Sequence, residues 1–120
     1  METEVPSKLL TTLSHAADIV RGHDFIQVYS HYDADGVSAA SIIAQTLLRE
    51  KKEFRITLFT TLNDYNMDII RNTKSECIII TDLGASYIDQ LDAMTCDIVV
   101  LDHHTIISEA KRICYANPHL

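Results

Sequence analysis

Basic residues are scarce in this chain: of 120 residues only ten are Lys or Arg, against seventeen Asp and Glu, for a formal charge of −7. A module that grips nucleic acid by itself carries a basic footprint, so this balance argues against a self-sufficient electrostatic clamp. The local cluster Arg49, Lys51, Lys52 and Arg55, and the pair Lys111 and Arg112, read as solvated helix ends and a turn. Long apolar runs are missing too. None reaches the length of a membrane span, and no basic segment followed by a hydrophobic one opens the chain, which points to a cytoplasmic protein without a membrane partner. Three glycines and two prolines leave no room for a low-complexity tract, and 47% hydrophobic with 22% charged residues is the composition of a single folded domain. Cysteine is also rare. Cys77, Cys96 and Cys114 are odd in number, lack Cys-x-x-Cys spacing and fall in or beside apolar runs, which suits reduced core thiols better than disulfides or a zinc site.

What is present is a strict alternation. Leu9, Leu10, Leu13, Ala16, Ala17 and Val20 recur at helical spacing over 6–21, with Gly22 as the stop. Four β-like runs come next: "FIQVYS" (25–30), "RITLFT" (55–60), "CIIIT" (77–81) and "DIVVL" (97–101), separated by helical segments, with a fifth, "ICYAN", at 113–117. Between the first two, Val37, Ala40, Ile43, Ala44, Leu47 and Leu48 form an apolar stripe opposite Ser41, Gln45 and Arg49. The second run alternates most and is expected nearer an edge. This order predicts an α/β three-layer sandwich with a mainly parallel, Rossmann-like sheet of about five strands. The near-continuous apolar character of the third and fourth runs agrees, since such strands are buried on both faces.

In a parallel sheet the residues just past each strand share the carboxyl edge, where open α/β folds place their ligands. After the first run come His31, Asp33 and Asp35; after the third, Asp82; after the fourth, Asp102, His103 and His104. Leaving these carboxylates close together and unneutralised would cost several kcal/mol, roughly, in repulsion and desolvation. Taken singly, Asp33 and Asp35 could form a turn with Gly36, and Asp82 could cap a helix; recurrence at three strand ends favours divalent cations. Mixed Asp and His ligands suit Mn²⁺, Fe²⁺, Co²⁺ or Zn²⁺. Two such ions about 3.5 to 4 Å apart are a general device for cleaving phosphate esters. Gly36 and Gly84 sit just past these carboxylates, where backbone amides could face a phosphate. His15, His23 and His119 lack that context and read as surface or packing residues.

"SHYDADG", "TDLG" and "LDHH" resemble the first three motifs of the DHH phosphoesterase superfamily, most closely the RecJ-like single-strand exonucleases of the archaeal type. The resemblance spans 25–104, and "YANP" is similar to the segment after the third motif. It implies that His31 and Asp33 hold one Mn²⁺, that Asp35 and His103 serve the second, and that Asp82 bridges the two. Mg²⁺ or Co²⁺ could replace Mn²⁺. His104 would face the scissile phosphate, and Asp102 would orient the histidines. The implied reaction is hydrolysis of phosphodiester bonds in single-stranded DNA or RNA, in the setting of DNA replication and repair. The family also has a fourth motif with a further metal-binding Asp and a C-terminal DHHA1 domain that holds substrate. Neither is found here, so 1–120 is expected to be the N-terminal portion of a DHH domain, with the grip on the nucleic acid coming mainly from the missing part. Two alternatives stand beside the nuclease: a small-substrate DHH phosphodiesterase acting on oligoribonucleotides or cyclic dinucleotides, and a catalytically weak scaffold associated with the GINS and MCM proteins of the archaeal replisome.

Overall fold

The computed structural model describes residues 5–120. Its elements run α1 (Ser7–Arg21), β1 (Phe25–His31), α2 (Ala34–Arg49), β2 (Glu53–Phe59), α3 (Asp64–Arg71), β3 (Cys77–Thr81), a 3₁₀ turn (Ala85–Tyr87), α4 (Ile88–Asp92), β4 (Asp97–Leu101) and β5 (Cys114–Ala116). The five strands form one sheet in the order β2-β1-β3-β4-β5, and every adjacent pair is parallel. The alternating second run is indeed an edge strand.

The pleat divides the apolar side chains between two faces. Ile78, Ile80, Ile98 and Val100 meet Met67 and Ile70 of α3 and Ile88 and Leu91 of α4. Cys77, Ile79, Val99, Ile26 and Val28 meet Ala16 of α1 and Leu47 of α2. The result is the expected three-layer sandwich, with β3 buried along its whole length in the middle. All three cysteines are free, Cys77 and Cys114 are buried, and burial pushes the Cys77 thiol up to about 12. Among the described residues no helix is long and apolar enough to cross a membrane.

One expectation needs correction. The apolar stripe of α2 is narrower than its sequence suggests: Val37 is 42% exposed and Leu48 65%, so only Gly36, Ala40 and Leu47 are buried. The helix lies against the sheet along one thin line, since α1 shares that face. The crossing from β4 to β5 contains no helix, and side chains hold this irregular segment instead. The Asp92 carboxylate on α4 accepts hydrogen bonds from the backbone amides of Lys111, Arg112 and Ile113 at 2.8, 3.1 and 3.1 Å. Arg112 in return donates to the carbonyl oxygens of Asp92 and Cys96.

Candidate metal centre

The carboxyl ends of β1, β3 and β4 lie side by side in register, with Ser30 opposite Thr81 and Thr81 opposite Leu101. The turns that leave these three strands therefore converge. Asp33 caps α2: its Oδ1 accepts the Gly36 amide at 2.7 Å, leaving Oδ2 to face the Nδ1 atom of His31 at 2.8 Å. The Gly36 amide, above all, holds the Asp33 carboxyl below its ordinary range; desolvation opposes this and the nearby His31 assists. Asp82 sits at φ 60°, a left-handed conformation that Asp tolerates better than most residues, and its side chain is 6% exposed.

The Asp82 carboxylate faces both ways. Oδ1 is 2.9 Å from Nε2 of His103, and Oδ2 is 3.7 Å from Nδ1 of His31. Two groups of potential ligands result, one of His31, Asp33 and Asp82 and one of Asp82, Asp102, His103 and His104, and they share Asp82. His31 donates its Nε2 hydrogen to the carbonyl of Thr60 at 2.9 Å, because a carbonyl can only accept. In the neutral ring Nδ1 then carries the lone pair, aimed at two carboxylates. Three acceptors converging this way require a proton or a cation between them, and a hard or borderline divalent ion fits that donor set. No lysine or arginine forms an ion pair with Asp33, Asp82 or Asp102 among the described residues.

Asp102 has a different task. Buried at 4% exposure, it accepts the backbone amide of His103 at 2.8 Å and Nδ1 of His104 at 2.6 Å on Oδ1, and the Ala85 amide at 3.1 Å on Oδ2. It thereby ties the turn after β3 to the histidine pair. The bond to Asp102 raises the His104 pKa; desolvation opposes it, while the charges of Asp102, Asp82 and Asp33 add to it. The His104 side chain is half exposed, and its Nε2 has no hydrogen-bond partner among the described residues. Its ring lies 4.5 Å from that of His103.

The structure thus brings together His31, Asp33, Asp82, Asp102, His103 and His104. Asp35 is not in either ligand group: it is exposed in the first turn of α2, where its charge complements the helix dipole, and it lines the groove beside Asp82 and His103. The Gly36 amide, expected to face a phosphate, donates to the Asp33 carboxylate in this structure. Glycine is required there for another reason, since a Cβ would stand 2.0 Å from the His31 carbonyl oxygen. Gly84 occupies φ 109°, and a Cβ would press on Val100 at 3.1 Å; it turns the chain so that Ala85 can reach Asp102. Sequence reasoning missed Ser30, Asn117 and His119. The fully buried Ser30 hydroxyl lies 2.8 Å from the Gly36 carbonyl and 3.0 Å from that of Thr81, sharing one proton between the two turns that carry Asp33 and Asp82.

Comparison with known proteins bears on the fold and the family. The chain is 27% identical over 109 residues to the uncharacterized protein MJ0831 of Methanocaldococcus jannaschii, a match that covers 85% of this chain and 25% of that protein. Its fold is similar to a crystal structure of exonuclease RecJ bound to manganese, with a TM-score of 0.73 at 17% identity over 100% of this chain and 32% of that one. The RecJ of Thermus thermophilus, in complex with Mn²⁺, superposes with a TM-score of 0.69 at 18% identity, covering 92% of this chain and 17% of that one. The chain therefore spans about a third or less of the length of these relatives. At such identities the two structures establish a shared fold. The model of the DHH family, N-terminal domain, matches residues 25–119, from the start of β1 to beyond β5, and the chain belongs to that family.

Proposed function

We propose that the chain carries the divalent-metal centre of a phosphoesterase, and that its reaction is RecJ-like hydrolysis of phosphodiester bonds in single-stranded nucleic acid. The observation that carries this reading is the sharing of Asp82 between two ligand groups, one oxygen toward each. His31, Asp33 and Asp82 would hold one ion, and Asp82 with His103 the other. When bound, such ions supply the positive charge the site lacks, an activated water and stabilisation of charge on the phosphoryl oxygens.

The chain's own residues do the rest. Nδ1 of His104 is fixed by Asp102, so Nε2 is the nitrogen turned outward. The raised pKa favours the protonated ring, which can donate from Nε2 to a non-bridging phosphate oxygen or pass a proton to the leaving oxygen. Asp102 orients the ring through its bond to Nδ1, as the carboxylate partner of a catalytic histidine does. A groove lined by Leu13, Ile42, Leu101 and Pro118 runs alongside Asp82 and His103, and among the described residues its lining contains no Lys or Arg. Contact with the sugar and base would therefore be apolar. A cation-free groove also suits a short substrate, so a small-substrate phosphodiesterase using the same residues is the second reading.

The test is a calorimetric titration with Mn²⁺ of the chain and of Asp82→Ala, with both then assayed on a labelled single-stranded oligonucleotide, a dinucleotide and a cyclic dinucleotide. Binding and cleavage that Asp82→Ala abolishes are expected. Turnover confined to the dinucleotides would replace the exonuclease by the second reading, and no Mn²⁺ binding by the unaltered chain would overturn both.

A further inference from the structure

We propose that Asn117 and His119, in the segment that leaves β5, are positioning residues that set the backbone of the His103–His104 pair for metal binding; the inference rests on the metal-centre reading above. The pair sits at the start of the helix-free crossing 102–113, where no regular ladder satisfies the peptide groups. Their amides both turn to Oδ1 of Asp102, at 2.8 Å for His103 and 3.4 Å for His104. Their carbonyls turn the other way. The Asn117 side-chain amide donates to the carbonyl of His104 at 2.8 Å, and the His119 ring donates from Nε2 to the carbonyl of His103 at 3.0 Å. Side chains thereby hold all four backbone polar groups of the pair.

The clamp is itself braced. Asn117 is 0% exposed; the same amide group donates to the Tyr115 hydroxyl at 3.0 Å, and its carbonyl oxygen accepts the backbone amide of His119 at 2.9 Å. Pro118 between the two residues has a fixed φ, which limits how the segment can bend. With both peptide planes held, the histidine rings keep only their own side-chain torsions. One ring then meets Asp82 and the other Asp102 without a search. Partners that orient metal-ligating histidines typically matter about 10- to 100-fold in metal affinity. A bond to the ligand's backbone, rather than its ring, falls at the lower end.

Asn117 is too buried to substitute without risk to folding, so His119, which is exposed, carries the test. His119→Ala removes the donor, whereas His119→Gln retains an amide donor with comparable reach. Each variant is titrated with Mn²⁺, its melting temperature is recorded, and the ring resonances of His103 and His104 are followed by NMR in the metal-free protein. His119→Ala should bind Mn²⁺ about tenfold more weakly, with displaced His103 resonances and an unchanged melting temperature, and His119→Gln should restore both. Unchanged affinity and unchanged ring resonances in His119→Ala would overturn the inference, as would failure of His119→Gln to recover what His119→Ala loses. If the unaltered chain binds no Mn²⁺, the function reading fails on its own, and the metal-free resonances still decide whether His119 positions the pair.

Discussion

Both edges of the sheet carry a His–Asp pair of nearly the same length, yet they differ in everything around it. At the amino edge His23 meets Asp97, the first residue of β4, at 2.7 Å; at the carboxyl edge His103 meets Asp82 at 2.9 Å. The amino-edge carboxylate is 53% exposed and serves one partner, while Lys52 and Arg112 nearby donate to backbone carbonyls of Arg21 and Cys96. The carboxyl-edge carboxylate is 6% exposed, faces two histidines, and pairs with no Lys or Arg among the described residues. A His–Asp contact is therefore no mark of a site. What distinguishes the candidate site at the carboxyl edge is a buried carboxylate shared between partners and left short of positive charge.

The sharpest way to exploit that contrast is to make the same substitution at both edges. Asp82→Asn should weaken Mn²⁺ binding by at least about a hundredfold and abolish hydrolysis. In metal-free protein it should not lower the melting temperature, because Asn is well suited to φ 60° and loses a buried charge near Asp33 and Asp102. Asp97→Asn should do the reverse, leaving Mn²⁺ affinity intact and slightly lowering the melting temperature. A metal-free Asp82→Asn as destabilised as Asp97→Asn would show that Asp82 holds the fold together. Next in size is Gly36→Ala. A Cβ 2.0 Å from the His31 carbonyl must push α2 away from β1, so a loss of about 3 kcal/mol is expected, at the upper end for overpacking, and denaturant melts would read it directly.

A third substitution separates fold from site on one loop. Asp92 receives three backbone amides from the end of the β4–β5 crossing, so Asp92→Ala should cost about 2 kcal/mol while Mn²⁺ affinity changes far less than in Asp82→Asn. Burial pushes the Asp92 carboxyl up, but the amides of Ile113, Lys111 and Arg112 outweigh it and the pKa is lowered. A carboxyl lowered on folding stabilises the protein above its unfolded value, about 3.9, and that contribution disappears as the pH falls through the lower folded value. The melting-temperature gap between the unaltered chain and Asp92→Asn should accordingly be full at neutral pH and close in acid below about pH 4.

The two edges also differ in how legible they were. The burial of the central strands derives from runs such as "CIIIT", which suit a strand covered on both faces, and parallel strands send His31, Asp82 and His103 to one rim whatever the loops do. The convergence of the six residues in the two ligand groups was legible on that ground alone. Ser30, Asn117 and His119 were not, because their partners are backbone carbonyls, which every residue has and no pattern advertises. Asp35 shares the Asp-x-Asp spacing with Asp33 and lines the groove beside Asp82 and His103, although it lies outside both ligand groups. The helix-free crossing 102–113 escaped for a related reason: it is held by Asp92 and Arg112, single side chains that look like ordinary surface charge.

The smallest expected effect tests whether the two pairs are equivalent once the third partner is removed. A double-mutant cycle of His23→Ala and Asp97→Ala should give a coupling of about 0.5 kcal/mol, as exposed pairs do, and adding Mn²⁺ should not alter it. The same cycle on His103→Ala and Asp82→Ala should give a comparably small coupling without metal, because the His103 side chain is 59% exposed and solvent screens the pair. With Mn²⁺ present the coupling should become much larger, since either substitution alone already removes an ion that both residues hold. Denaturant unfolding of the unaltered chain and of each single and double variant, with and without Mn²⁺, measures both cycles. A His103–Asp82 coupling that Mn²⁺ leaves unchanged would make the carboxyl edge merely a second copy of the amino edge, with a proton and not a metal between its acceptors.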